Sequence, residues 1–241
     1  MMQLLERFSL GFSRLAGREG TLRLPEAIWQ AFIEAPYDIA PDFMGPPGYK
    51  WEDARGKDHP RYGRFVYAFA KHVKPERIVE MGTDTGGTAV GWARALVENG
   101  LGRLICVDND AYAQSTYPLA VKTNLERLAV PESAVDLRKG DSKLVVPALA
   151  REFAGKVDIY LVDGDHTYEG ARADLYNGLP MVKPGGYILV HDIDRGRKMN
   201  EQTPSHPHPV YEAFRKLAEE HKFKWCVLKF IRKHLGIIQT G

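Results

Sequence analysis

The sequence predicts an α/β fold: a doubly wound, mostly parallel sheet with helices on both faces, closed by an antiparallel hairpin and preceded by an N-terminal helical extension. Three observations predict it. From about Arg61 onward, short β-rich runs alternate with helical lengths. The first of these runs ends in a glycine-rich turn that opens a helix, VEMGTDTGGTAVGWARAL. The last two apolar runs, FKWCVLKF and HLGIIQ, are separated only by Ile-Arg-Lys, a spacing compatible with a hairpin.

The chain divides into an N-terminal segment, residues 1–60, and a main domain, residues 61–241. The first segment shows helical patterns around 3–15 and 25–35. Pro25 suits the first turn of the second helix, and Leu24, Ile28 and Phe32 supply its apolar face. The following stretch, IEAPYDIAPDFMGPPGYKWEDARG, is rich in Pro, Gly and aromatics and reads as a loop or lid. A helix over RYGRFVYAFAKHV then leads into the strands RIVEM, RLICVD, VDLRK, VDIYLVD and GYILVHD. Helical patterns near 87–99, 117–129, 142–153 and 168–182 separate them, and a last helix near 209–221 precedes the hairpin. Such alternation requires right-handed crossovers.

Composition narrows the function. With 241 residues and 44% apolar content the chain can bury a substantial core. Its 33 basic and 31 acidic side chains leave a net charge of +2, so no field draws polyanions and nucleic acid is not an implied partner. Cys106 and Cys226 lie in apolar runs and read as buried reduced thiols, neither a disulfide nor a zinc site. Glu6, Arg7 and Arg14 interrupt the opening apolar residues, which read as a helix and not a signal peptide. No run approaches the roughly 20 apolar residues that span a bilayer. A cytoplasmic enzyme without membrane contact is expected.

In open α/β sheets ligands bind beyond the carboxyl ends of the strands, so the first strand-to-helix turn is where a ligand is sought. Glu80 closes the strand, Gly82 permits a tight turn, and Gly86 with Gly87 lets the backbone approach a ligand. The spacing is E-x-G-x-x-x-G. A dinucleotide turn needs G-x-G-x-x-G, and Asp84 stands where its second glycine would be, which argues against a nicotinamide cofactor. Asp108 ends the second strand, where a carboxylate can accept from both hydroxyls of a ribose. Asp141, in RKGDSKL, can accept from an adenine amine.

On Glu80, Gly82, Gly86, Asp108 and Asp141 the chain resembles the class I S-adenosylmethionine-dependent methyltransferases, over roughly residues 62–241. The resemblance implies a Rossmann-like sheet, with Gly82 and Gly86 lining the methionine part of the donor, Asp108 at its ribose and Asp141 near its adenine. It also brings Glu80, Thr83, Asp84 and Ser142 into the donor site. The same residues fit a structural turn with capping carboxylates.

Two polar segments should open onto the donor site, LVDGDHTYEGARADL and YILVHDIDRGRK. Methyl transfer is an in-line displacement, so the protein has to position the acceptor and remove its proton. A divalent cation eases loss of a hydroxyl proton, and hard cations favour carboxylates such as Asp163 and Asp192. These segments resemble the metal-assisted sugar and small-molecule O-methyltransferases, including those acting on macrolide sugars. The resemblance implies that Asp163 is a metal ligand and His166 the general base. Where that pattern has two adjacent acidic ligands, this chain has His191 and Asp192. The change removes a negative charge and shifts preference from Mg²⁺ toward softer ions such as Mn²⁺, Fe²⁺ or Zn²⁺. In the related catechol-type enzymes the pair is Asp-Asn, and Ile193 stands where the Asn would be. The expected cofactors are S-adenosylmethionine and Mg²⁺ or Mn²⁺.

Other roles stay open for several residues. Asp165 suits a cap for the helix beginning near Thr167, His166 an anchor for its turn, and His191 a hydrogen bond behind a metal instead of a ligand. Asp194 and Arg195 fit either site or surface. The stretch DRGRKMNEQTPSHPHPV, with His206 and His208, reads as a surface segment that could close with Tyr37–Trp51 over an acceptor pocket. Phe43, Tyr49 and Trp51 would then stack on a sugar or ring, or else pack a homodimer contact through the N-terminal helices. The expected activity is O-methylation of a hydroxylated small molecule. A metal-independent N- or O-methyltransferase and a non-catalytic binding protein on the same fold are the alternatives.

Overall fold

The structure, a computed structural model, describes residues 16–35, 59–110, 117–127, 129–193, 205–229 and 234–241. In chain order its elements are β1 (Ala16–Gly20), α1 (Glu26–Glu34), α2 (His59–Val73), β2 (Arg77–Met81), α3 (Gly87–Asn99), β3 (Arg103–Asp108), α4 (Leu119–Arg127), β4 (Val135–Lys139), α5 (Ser142–Glu152), β5 (Val157–Val162), α6 (Tyr168–Gly178), β6 (Val182–Val190), α7 (Pro209–Glu220), β7 (Lys224–Lys229) and β8 (His234–Gln239). Eight strands form one sheet in the order β1-β7-β8-β6-β5-β2-β3-β4. Strands β4, β3, β2, β5 and β6 run parallel. Strand β8 inserts antiparallel between β6 and β7, and β1 adds an antiparallel edge beside β7.

Strand periodicity sorts the core into two layers. Ile78, Leu104, Cys106, Ile159, Leu161 and Leu189 face the side packed by α1, α2 and α3. Val79, Ile105, Val107, Tyr160, Val162, Ile188 and Val190 face the side packed by α5, α6 and α7. Both faces of β2, β3 and β5 are therefore buried, which is why they read as apolar runs, whereas the edge strand β4, VDLRK, is only partly buried and alternates. Trp92, Phe65 and Phe69 are fully buried in the first layer, and Tyr160 and Phe214 in the second. Cys106 and Cys226 are buried free thiols, and burial pushes both above the ordinary thiol range.

The chain leaves β2 toward β3 on one side and returns through β5 on the other, so strand order reverses between β2 and β5. Two backbones meet there. A side chain at Gly82 would place its Cβ 1.9 Å from the Asp163 carbonyl oxygen, and Gly82 has φ +79. Glycine is required on both counts. The opposite end of the sheet is tied by Asp158, which accepts from the backbone N–H of Glu76 (3.0 Å) and Arg77 (2.8 Å) and pairs with Lys183.

Several details depart from the sequence reading. A strand, β1, occupies Ala16–Gly20 in the segment expected to be helical, while the helix expected at 3–15 lies outside the described residues. Strand β6 begins at Val182 and absorbs the expected Lys-Pro-Gly-Gly turn, because the β5–β6 register jumps from Val157↔Val182 to Ile159↔Tyr187 and the extra residues bulge outward with Gly185 at φ +75. Helix α6 stops at Gly178, and a 3₁₀ turn over Leu179–Met181 completes the length expected to be helical. The aromatic segment with Phe43, Tyr49 and Trp51, and Asp194 and Arg195, lie outside the described residues.

Candidate active site

The donor-side turn follows from its backbone. Glu80 is the fourth residue of β2 and fully buried, on the sheet face covered by α2 and α3. Thr88 Oγ1 donates to Glu80 Oε1 at 2.8 Å, while Oε2 is buried with no hydrogen-bond partner among the described residues. Burial pushes its carboxyl up to about 8, against the Thr88 hydrogen bond. Thr83 is buried, its hydroxyl 3.5 Å from the Val107 carbonyl. Asp84 sits at φ +52 and Gly86, the N-cap of α3, at φ +96. Asp84 N–H donates to Asp108 Oδ2 at 2.7 Å, so the turn and the end of β3 are joined. Asp110 N–H donates to Asp108 Oδ1 at 2.6 Å, and Asp110 itself, at φ +67, pairs with Lys139 at 2.7 Å. A carboxylate offers about four lone-pair sites, so Asp108 keeps acceptor capacity beyond these two bonds.

The Gly82–Gly86 turn and Asp108 are thus joined by a hydrogen bond, with Glu80 buried at the end of β2 beside them. Asp141 and Ser142 stand apart from that hydrogen bond. Asp141 is the N-cap of α5, its side chain accepting from Lys143 N–H at 2.9 Å, as expected of a capping carboxylate. Ser142 is the first residue of that helix.

The second half of the site is built at the ends of β5 and β6, across the switch point. Asp163 follows β5, and its N–H donates to the Met81 carbonyl at 2.9 Å. His191 and Asp192 follow β6, both buried, with Asp192 at φ +54. A left-handed carboxylate at a strand end is a conformation associated with binding sites. His191 Nδ1 lies 2.9 Å from Asp163 Oδ1 and 3.4 Å from Asp192 Oδ1. One ligand atom from each of the three lies within 4.8 Å of the others. Two ligand atoms at right angles and about 2.1 Å from one small cation stand about 3 Å apart, so the observed separations fit a shared divalent ion. His166 stands beside this group, its Nε2 3.4 Å from Asp163 Oδ1 and 3.9 Å from Asp192 Oδ2. Burial works to raise the Asp163 carboxyl, but the charge and hydrogen bonds of His191 and His166 outweigh it and hold the group well below the usual carboxylate range.

The neighbouring side chains resolve several open roles. Thr167, not Asp165, caps α6, its hydroxyl accepting from Gly170 N–H at 3.0 Å; Asp165 braces the turn by accepting from Thr167 N–H at 2.9 Å. Ile193 is buried in the core and offers no ligand atom. His206 is docked: it stacks on Tyr168 with ring centroids 3.7 Å apart and lies 2.7 Å from Glu212. His208 precedes α7 and does not join a metal-type group with them among the described residues. Tyr62, which carried no signal in the sequence, reaches the site from α2 with its ring 4.5 Å from that of His191. Burial pushes its phenol well above the ordinary 10, and the charges of Asp163, Glu80 and Asp192 add to this.

A glycine turn and a strand-end carboxylate on one side of the switch point, facing a His/Asp group on the other, place the candidate site where open α/β sheets bind their ligands. Residues 79–193 match a family described as "Methyltransferase domain". A catechol O-methyltransferase of Niastella koreensis is 27% identical over 61% of this chain, and the match spans 63% of that relative's length. The methyltransferase PaMTH1 of Podospora anserina, solved with S-adenosylhomocysteine bound, superposes with a TM-score of 0.62 at 14% identity, covering 99% of this chain and 96% of that one. The O-methyltransferase TomG of Streptomyces achromogenes, solved with S-adenosylmethionine, superposes with a TM-score of 0.59 at 19% identity, covering 96% of this chain and 95% of that one. Residues 79–193 are therefore similar to a methyltransferase domain, and the chain shares the fold of S-adenosylmethionine-dependent methyltransferases.

Proposed function

We propose that this protein transfers the methyl group of S-adenosylmethionine to a hydroxyl oxygen of a small molecule, with a divalent metal ion held by Asp163, His191 and Asp192. The observation that carries the reading is the convergence of those three ligand atoms within 4.8 Å, across the switch point from the donor turn. Such an ion, when bound, lowers the pKa of the acceptor hydroxyl and orients its oxygen.

The remaining work falls to the chain's own residues. Glu80 supplies a buried carboxylate beside the cationic donor, and its unpartnered Oε2 is the kind of acceptor that the donor's ammonium would satisfy. Asp108, fixed by two backbone N–H groups, accepts from the ribose hydroxyls, and the positive-φ turn through Gly82 and Gly86 lies along the methionine part. Asp141 and Ser142, at the start of α5, border the adenine end. His166 takes the acceptor proton at Nε2, and Asp163 beside it favours the imidazolium that results. The catechol O-methyltransferase relative supports an acceptor with adjacent hydroxyls, a catechol or a sugar diol.

A second reading rests on one distance. The 2.9 Å between His191 Nδ1 and Asp163 Oδ1 is also that of a hydrogen bond, which would leave a metal-independent His-Asp pair beside His166. Isothermal titration with S-adenosylmethionine, then with Mn²⁺ or Mg²⁺, separates the two. Donor binding lost in Asp108→Ala, together with Mn²⁺ binding lost in Asp163→Ala, is the expected outcome. Turnover indifferent to EDTA selects the second reading, and absence of donor binding rejects both.

A further inference from the structure

We propose that Tyr62 is a positioning residue for the metal site: its ring holds the His191 imidazole in the orientation that presents Nδ1 to the ion shared with Asp163 and Asp192. The inference rests on the metal reading above and extends it to a residue outside the matched methyltransferase domain, residues 79–193.

Three observations carry it. The Tyr62 and His191 rings meet at 4.5 Å between centroids with planes at 48°, within the range of favourable aromatic contact. Both side chains are almost fully enclosed, at 6% and 4% exposure, so neither ring has solvent to turn into. The backbone that carries Tyr62 is fixed on both sides by its next two neighbours. The Gly63 carbonyl oxygen approaches α3 so closely that a Cβ at Gly91 would lie 2.5 Å from it, which locks α2 to the helix that starts at the donor turn. Arg64, buried, donates through Nε to the Ala35 carbonyl at 3.1 Å and through Nη2 to those of Phe32 at 3.0 Å and Ile33 at 3.2 Å, closing the C-terminal end of α1. Tyr62-Gly63-Arg64 therefore ties the nitrogen ligand, the donor helix and the N-terminal segment to a single helical turn.

An imidazole ligand needs such support more than a carboxylate does. A carboxylate can offer either oxygen by a small rotation, whereas the ring offers Nδ1 in one direction only. Groups that orient a ligating histidine commonly change metal affinity about 10- to 100-fold when removed. A nitrogen ligand also weights a site toward Mn²⁺ over Mg²⁺, so a misplaced ring should alter the choice of ion as well as the strength of binding.

The test is direct binding of Mn²⁺ to the full chain, read from the paramagnetic resonance of free Mn²⁺, with Mg²⁺ as competitor and donor affinity measured in parallel. Tyr62→Phe keeps the ring and should bind Mn²⁺ as the wild type does. Tyr62→Leu should lose about 10-fold or more in Mn²⁺ affinity, with a smaller loss for Mg²⁺ and unchanged donor affinity. Should Tyr62→Leu lack a cooperative thermal transition, Tyr62→Met provides the same test with an unbranched chain. Wild-type Mn²⁺ affinity in the folded variant, or equal loss for both ions, overturns the role of Tyr62 while leaving the metal site standing. Wild-type protein that binds the donor but neither ion overturns the metal reading, and the role of Tyr62 with it.

Discussion

Glu80 makes the stability of the donor-free protein depend on pH in an unusual direction. Its carboxyl, ordinarily near 4.5, is held at about 8, chiefly by burial. Between those two values the folded state binds a proton that the unfolded state has released, so unfolding free energy falls as pH rises from 4.5 and levels off above about 8. Each tenfold displacement of a protonation equilibrium is worth about 1.4 kcal/mol, so the full effect reaches about 5 kcal/mol across that window, and complete burial of the side chain leaves it undiminished by solvent screening. Glu80→Gln keeps the shape and removes the titration. Urea unfolding of both proteins in the absence of donor should give similar stabilities at pH 5, with the variant becoming progressively the more stable one toward pH 8.5. Donor binding should reverse the wild-type penalty, because a cation beside Glu80 favours its ionised form. At pH 7 binding should then release up to about 0.9 proton, visible as a dependence of binding enthalpy on buffer ionisation. Stability curves of wild type and Glu80→Gln that run parallel from pH 5 to 8.5 would refute the reasoning.

Further expectations follow from single contacts. Gly82→Ala forces a Cβ against the Asp163 carbonyl at φ +79, whereas Gly100→Ala at φ +69 has nothing within 4 Å; thermal melts should show a loss of about 1 kcal/mol for the second and a much larger one, with loss of donor binding, for the first. Asp158→Ala strips the backbone N–H groups of Glu76 and Arg77 of their acceptor and should cost about 1–3 kcal/mol in urea unfolding without changing donor affinity. Trp92→Ala opens a cavity in the layer beneath α3 and should cost about 3–5 kcal/mol by the same measurement.

Where a signal in the sequence is local, the structure follows it closely. Strands β2, β3, β4 and β8 and helix α3 fall on the runs that β-propensity and glycine punctuation mark out, because strand-forming residues and the glycines that flank α3 are written in consecutive residues. The Asp163, His166, His191 and Asp192 group was legible for a related reason: each residue ends or follows a parallel strand, and parallel strands deliver their ends to one edge. What was not legible depends on distant contacts. The strand at Ala16–Gly20 has the sequence AGREG, poor in β-formers, and exists only because β7 offers an edge to pair with. Asp165 was misplaced by two residues as a cap, since Asp and Thr satisfy the same N-cap rule and only the chain's path decides between them. Tyr62 sits in a helix of unremarkable pattern, and no spacing within that helix announces a histidine more than 100 residues away.

Under the proposed metal reading, His191 in place of an acidic ligand and Tyr62 beside it explain each other. A carboxylate in the position of His191 would face Asp163 and Asp192 as a third negative charge near Glu80, and only an ion of high charge density could offset that repulsion. Imidazole removes the third charge but introduces a planar ligand whose direction matters. A ring on α2 supplies that direction, and α2 is itself pinned to the donor helix through Gly63 and Gly91. On that reading the proposed donor and metal sides touch at two places, the Gly82–Asp163 backbone contact and the Tyr62 turn, so a displacement of α3 on donor binding would be felt at Asp163 and His191. Mn²⁺ affinity measured with and without saturating S-adenosylhomocysteine should differ in the wild type and much less in Tyr62→Leu; by linkage, Mn²⁺ should change S-adenosylhomocysteine affinity by the same factor.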